Sequence, residues 1–156
     1  MKLCDLHTHL LPGVDDGATS MEYALQMLRN AAASDVALLA VTPHCNRPCE
    51  KRNYLDGSLR ERFLQLQQAA KDIPVDLVLG GEVLVDEQLP QLLRQKKIPT
   101  INGSRYLLTE FPVDATPGFF QDMLQSTLEL GYIPLIAHPE RYLSVCQMPQ
   151  IVVPWL

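Results

Sequence analysis

The chain has 156 residues, 47% of them hydrophobic, which is enough for one domain with an apolar core and too few to assume two. A formal net charge of −5 without a basic run argues against a surface that neutralises nucleic-acid phosphates or lies on anionic lipid. No apolar stretch approaches the roughly 20 residues that cross a bilayer. The start is charged too early for an export signal and the four cysteines are scattered, so the expectation is a cytoplasmic protein with reduced thiols, no nucleic-acid partner and no membrane insertion.

Short apolar runs alternate with longer amphipathic ones, the pattern of βαβ units around a parallel sheet. A strand over residues 2–6 is followed by a loop containing Pro12-Gly13 and Asp15-Asp16-Gly17. A helix then starts from about Ser20, its N-cap, with Met21, Ala24, Leu25, Leu28 and Ala32 as its apolar stripe. The second strand, over 36–42, is almost wholly apolar, as suits a parallel strand covered on both faces. A helix over 56–71 carries Leu59, Phe63, Leu66 and Ala70 on one face and stops ahead of Pro74. A third strand over 76–80, a short helix over 87–95 and a fourth strand over 106–110 come next. A helix over 117–130 then ends at Gly131, a residue suited to the left-handed position after a helix, and a fifth strand covers 133–137. Residues 148–156 read as the opening of a further element that is not completed. The whole is expected to be one domain over residues 1–156, with about five βα units.

The positions of the four histidines carry the functional argument. His7 and His9 close the first strand, His44 the second and His138 the fifth, while Glu82 and Glu110 close the third and fourth. In parallel α/β folds the carboxyl ends of the strands open on one face, so these side chains converge there. A single histidine at a strand end is more often a hydrogen-bonded structural residue. Four imidazoles and two carboxylates, each just after an apolar run, call for one common explanation. His7-Thr8-His9 places two imidazoles on one face of a strand. Asp15-Asp16-Gly17 is built of turn formers, and at the mouth of a barrel either carboxylate can reach a cation. Mixed imidazole and carboxylate ligation suits manganese, iron or zinc better than calcium. Two bridging carboxylates would hold ions about 3.5–4 Å apart, activating water at neutral pH and clamping phosphate oxygens. Arg141, three residues beyond His138, brings to the same rim a guanidinium fork that matches phosphate.

Other chemistries lack their residues. A cysteine-dependent tyrosine phosphatase needs an arginine six positions beyond its thiolate. Beyond Cys4, Cys45, Cys49 and Cys146 those positions hold Leu10, Lys51, Leu55 and Val152. His44-Cys45 with Cys49 could be a fragment of a structural zinc site, but no second pair stands at a suitable spacing. There is no dinucleotide-binding glycine motif and no phosphate-binding Walker loop, and Gly80-Gly81 reads as room for backbone beside Glu82.

Asp5-Leu6-His7-Thr8-His9, Val14-Asp15-Asp16-Gly17, Thr42-Pro43-His44, Gly81-Glu82, Thr109-Glu110-Phe111 and Ala137-His138-Pro139-Glu140-Arg141-Tyr142 together resemble the PHP (polymerase and histidinol phosphatase) superfamily. Within it, the chain most resembles the manganese-dependent tyrosine phosphatases of bacterial capsule and exopolysaccharide loci, the CpsB/YwqE type. The resemblance implies a distorted, TIM-like (β/α) barrel, here partial, with its last strands missing. It also implies a cytoplasmic phosphatase acting on a phosphotyrosine protein, a bacterial tyrosine kinase of polysaccharide export, and it leaves self-association open. His7, His9 and Glu82 would serve one Mn2+, Glu82, Glu110 and His138 a second, and Asp16 with His44 a third, with Arg141 holding phosphate. Relatives continue to a late Asp-x-His pair, and this sequence has no Asp or His after His138. Pro154 falls where a helix is expected to start, so a truncated chain with impaired turnover, binding metal or a partner only, is the alternative expectation. A small-molecule esterase of the histidinol-phosphate type is a further one.

Overall fold

The computed structural model describes residues 2–48 and 52–155. Its strands are β1 (Leu3–Thr8), β2 (Val36–Val41), β3 (His44–Cys45), β4 (Asp76–Leu79), β5 (Glu82–Leu84), β6 (Tyr106–Glu110) and β7 (Ile133–Ile136). The helices are α1 (Met21–Ala33), α2 (Gly57–Ala69), α3 (Leu89–Arg94), α4 (Pro117–Glu129) and α5 (Leu143–Gln147). Every strand pair is parallel, as the alternation of elements requires.

The strands form two sheets, β1-β2-β4 and β3-β5-β6-β7, where the sequence pattern predicts five unbroken strands. The extra strands, β3 and β5, continue β2 and β4 after an interruption. Val41 faces Leu79 and, three residues further along both strands, His44 faces Glu82, so the register is kept across the gap. Two backbone bonds bridge it, Gly80 N–H to the Val41 carbonyl at 2.9 Å and Glu82 N–H to the Pro43 carbonyl at 3.0 Å. The cause of the break is local. Pro43 has no N–H to give the ladder, and the backbone at Gly81 passes so close to Pro99 that a Cβ there would lie 2.6 Å from its ring. Because β1 pairs below the break and β6 above it, the surface curls as one wall of a partial (β/α) barrel.

Sequence chemistry sets the helices. Ser20, Asp56 and Thr116 each accept a hydrogen bond from the N–H three residues on, capping α1, α2 and α4. Asp56 is thus the cap of α2 rather than its first residue. The stripe of α2 packs into a cluster with Leu28 and Leu39, while Phe111, Phe120 and Tyr142 centre a second cluster over β5, β6 and α4. The two-sided burial expected of β2 holds for Leu39, Ala40 and Val41, whereas Val36 to Leu38 remain half-buried.

Two further features depart from the sequence pattern. Helix α5 forms after β7, and residues Pro149–Trp155 fold as consecutive 3-10 turns instead of an unfinished element. Trp155 stacks on Phe120 at 4.8 Å, and Ile151 and Val152 join the same apolar cluster, so side-chain burial holds the segment although Pro154 removes a backbone donor. Among the described residues β1 and β7 each have one strand neighbour. On β7 the N–H groups of Ile133 and Ala137 point to β6, so residue 134 faces the open side; as proline, it offers no donor there. No described helix is long and apolar enough to cross a membrane.

Candidate metal centre

The site begins where β1 ends. Its pairing with β2 is irregular before Thr8, where the His7 N–H turns to the Asp5 carboxylate at 3.1 Å. Thr42 then locks the two strand ends together: its N–H donates to the Thr8 carbonyl at 2.8 Å and its hydroxyl oxygen accepts the Thr8 N–H at 2.9 Å. His9 lies one residue beyond the strand, and the Nε2 atoms of His7 and His9 come within 3.2 Å of each other.

The following loop holds His9 in orientation. Ala18 N–H donates to the His9 carbonyl at 3.0 Å, and a Cβ on Gly17 would overlap that same carbonyl, so the close pass requires glycine. Asp15 is buried beneath it. One of its oxygens meets His9 Nδ1 at 2.8 Å and accepts the His44 N–H at 3.0 Å, and the other accepts the Gly17 N–H at 3.0 Å. Burial pushes the Asp15 carboxyl up, but these bonds outweigh it and hold the group below the usual carboxylate range. Asp16 points the other way. Its side chain is 75% exposed and its Oδ1 stands 3.3 Å from His44 Nε2, so of the two aspartates left open by spacing, Asp15 braces the imidazoles and Asp16 faces the cavity.

Glu82 is the focus. Its carboxylate, 1% exposed, lies 3.2 Å from His7 Nε2, 3.1 Å from His9 Nε2, 2.8 Å from His44 Nδ1 and 2.6 Å from His138 Nε2. Burial raises its pKa, and the surrounding imidazoles overturn that and hold it far below the ordinary carboxylate range. For His9, burial favours the neutral ring, but Asp15 and Glu82 on its two nitrogens raise it to about 9.

Glu110, the last residue of β6, is 3.8 Å from His44 Nδ1 and 3.9 Å from His138 Nε2. Arg47 grips it, with Nη2 at 2.8 and 3.0 Å from its two oxygens and Nε at 3.3 Å from one of them. His138 follows β7 in a left-handed conformation, φ 31° and ψ 58°, which a non-glycine residue adopts only under constraint. The constraint comes from Tyr142. Fully buried, it donates its hydroxyl to the Ala137 carbonyl at 2.7 Å and accepts the Phe111 N–H at 3.1 Å, tying the residue before His138 to the residue after Glu110. Burial pushes the Tyr142 hydroxyl up to about 12, with Glu110 and Glu82 adding to the effect, so it stays protonated and able to donate.

His7, His9, Asp16, His44, Arg47, Glu82, His138 and Arg141 line one cavity of about 370 Å³. A larger, mostly apolar groove of about 540 Å³ lies between α4, β7 and the C-terminal turns, but its lining has no titratable side chain. Ligand atoms of His7, His9 and Glu82 lie within 4.8 Å of one another, as do those of His9, Asp16 and His44, and those of His44, Glu82 and Glu110. The donor set suits a cation in a specific way. Glu82 Oε2 and His44 Nδ1 are buried and 2.8 Å apart, and His7 and His9 also come within 3.2 Å of that oxygen, yet none of these contacts has the geometry of a hydrogen bond. Converging lone pairs left unsatisfied by protein are what a divalent ion would occupy.

The structure therefore brings together all the residues expected from sequence at this site, with one adjustment. His44 and Glu82 stand at the start of β3 and β5, just past the break, instead of closing the preceding strands. The zinc-fragment reading fails for its first two members, because consecutive residues of β3 face opposite sides: His44 enters the cavity and Cys45 enters the core. Cys49 lies outside the described residues. Burial pushes the Cys45 thiol up to about 12, so it is no nucleophile at neutral pH. Sequence reasoning missed Arg47, Thr42 and Tyr142. Only Tyr142 and Thr42 had any signal, as neighbours of His138 and His44 in the quoted segments.

The family model described as capsular polysaccharide synthesis, CpsB/CapC, matches residues 3–153. The chain belongs to the CpsB/CapC family. It is similar to the tyrosine-protein phosphatase YwqE of Bacillus subtilis strain 168, at 31% identity over 152 residues, covering 96% of this chain and 59% of that protein. It is also similar to the tyrosine-protein phosphatase CpsB of Streptococcus pneumoniae, at 34% identity over 142 residues, covering 90% of this chain and 58% of the relative. A solved structure from work on Bacillus subtilis YwqE and Streptococcus pneumoniae CpsB, described there as metal-dependent tyrosine phosphatases, superimposes with a TM-score of 0.88 at 31% identity. That match covers 98% of this chain and 62% of the solved one, so the CpsB/CapC chain here spans about three-fifths of the length of these relatives.

Proposed function

We propose that the chain is a metal-dependent protein-tyrosine phosphatase whose substrate is phosphotyrosine on a tyrosine kinase governing capsule or exopolysaccharide synthesis, and that its resident ion is Mn2+. The observation that carries the reading is the buried Glu82 carboxylate at the meeting point of four imidazoles. His7, His9 and Glu82 would hold one ion, and Asp16 with His44 and His9 another. Glu82 and Glu110 would hold a third with the imidazoles of His44 or His138 beside them. When bound, such ions lower the pKa of coordinated water and neutralise charge on phosphoryl oxygens.

The remaining work falls to the chain's own residues. With an ion bound, Asp15 would keep the one remaining His9 proton on Nδ1 and so leave the Nε2 lone pair to the ion. Arg141 offers a fork to the substrate phosphate at the cavity rim. A phenol leaves with a pKa near 10, so no strong general acid is required of the site. The reading places the reaction in the cytoplasm, in keeping with the free thiols of Cys4, Cys45 and Cys146.

The test is metal analysis of the purified protein, together with Mn2+-dependent hydrolysis of a phosphotyrosine peptide set against histidinol phosphate. Bound metal with faster turnover of the peptide, abolished by chelator and untouched by thiol alkylation, is expected. Preference for histidinol phosphate would move the chain to the small-molecule esterases, and bound metal without turnover would make it a binding remnant. Turnover that resists chelator and is lost on alkylation would sink the metal mechanism altogether.

A further inference from the structure

We propose that Arg47 is a second phosphate-holding arginine of this cavity, one that grips Glu110 in the metal-free chain and turns to the substrate anion when divalent cations take over that carboxylate. The inference rests on the metal-centre reading above.

Its first support is position. Arg47 and Arg141 both line the cavity that also exposes His7, His9, His44, Glu82 and His138. The second is how Glu110 is neutralised. Glu82 has four imidazoles around it, whereas Glu110 has imidazole nitrogens no nearer than 3.8 Å and takes its close contacts from the guanidinium. Arg47 thus supplies to Glu110, in the absence of an ion, the positive charge that an ion would supply. The third is the charge balance that follows. Once cations sit against Glu82 and Glu110, a guanidinium left in the same half-buried space gains by pairing with a new anion, and the dianionic phosphate of the substrate has the matching fork geometry. Arg47 belongs to the loop after β3, so it can turn without disturbing the strand that positions His44.

The experiment measures Mn2+ and inorganic phosphate binding by calorimetry on the full chain as wild type, Arg47→Gln, Arg47→Lys and, as a control for lost surface charge, Arg60→Gln on α2. In Arg47→Gln, the Mn2+ dissociation constant should stay level or fall by about threefold, because a competing cation is gone. Phosphate binding to the Mn2+-loaded protein should weaken by about tenfold or more, with Arg47→Lys between and Arg60→Gln unchanged. Mn2+ affinity that drops in Arg47→Gln would make Arg47 a brace for Glu110 and overturn the inference. Unchanged phosphate affinity would overturn it equally. If wild type binds no Mn2+, the centre itself is misread and the inference falls with it, an outcome distinct from the other two.

Discussion

Glu82 begins β5 and Glu110 ends the adjacent parallel strand β6, two register positions further on, and the protein treats the two carboxylates in opposite ways. Glu82 opens β5 just past the Gly80-Gly81 break, is closed off from solvent and is surrounded by four imidazoles that arrive from three different chain segments. Glu110 ends β6 nearer the rim, is more accessible, and is held by one guanidinium. Imidazoles can release a proton to solvent and coordinate an incoming cation, whereas a guanidinium cannot and must move aside. On the proposed reading the inner carboxylate would be shared among ions, and the outer one would exchange one partner for another.

The harshest way to break this contrast is Glu82→Gln. The amide keeps the shape but removes the charge that all four imidazoles face, and Mn2+ affinity should fall by at least about a hundredfold, with turnover lost. The same change at Glu110 should cost roughly tenfold, because it removes one edge of the cluster. Calorimetric titration of both variants with Mn2+ decides the matter, and equal losses would erase the distinction between hub and rim. A gentler probe is Tyr142→Phe, which preserves the packing against Phe111 and Phe120 but strands the Ala137 carbonyl and the Phe111 N–H in a buried place. Urea denaturation should show a loss of about 1–3 kcal/mol. Because that hydroxyl holds the segments bearing Glu110 and His138, Mn2+ should bind several-fold more weakly, and a stability loss with unchanged metal affinity would reduce Tyr142 to a packing residue.

How much of this was legible in the sequence follows from what each feature depends on. The histidines and glutamates could be read because parallel strands send their ends to one face, so chain position alone predicted that His7, His44, Glu82, Glu110 and His138 would meet. Pro43 and Gly80-Gly81 were visible too, but as ends of strands; that the register runs on through them is a property of the paired backbone, which one strand's sequence does not contain. The roles of Asp15 and Asp16 could not be separated by spacing, because neighbouring side chains diverge and the choice is made by the His44 N–H and by the room that Gly17 leaves. Arg47 had no signal at all. It lies in a loop without a pattern, and only the folded chain brings it to a carboxylate 63 residues away. The C-terminal turns were misjudged because Pro154 argues against an α-helix, while the ring of Phe120 that fixes Trp155 is distant in sequence.

The smallest effect expected concerns protons at the hub in the absence of metal. His9 has its pKa raised from 6.5 to about 9, so its contribution to stability is fully present below about pH 6.5 and is lost as pH rises through about 9. Asp15 acts in the opposite sense: its pKa is lowered from 3.8, so its contribution is present above that value and is lost as pH falls through its depressed one. The chelator-treated protein should therefore melt highest between these limits and decline gradually from pH 6.5 to beyond 9, and His9→Gln should flatten the alkaline limb. Mn2+ reverses the slope. An ion on Nε2 must displace a proton, so apparent affinity should rise with pH up to about 9 and then level off, which titrations at several pH values would reveal. A melting temperature that stays flat across this alkaline range in wild type would mean that the His9 ring is already neutral at pH 7. The Asp15-His9-Glu82 chain would then bind no extra proton, and Mn2+ would have none to displace from His9.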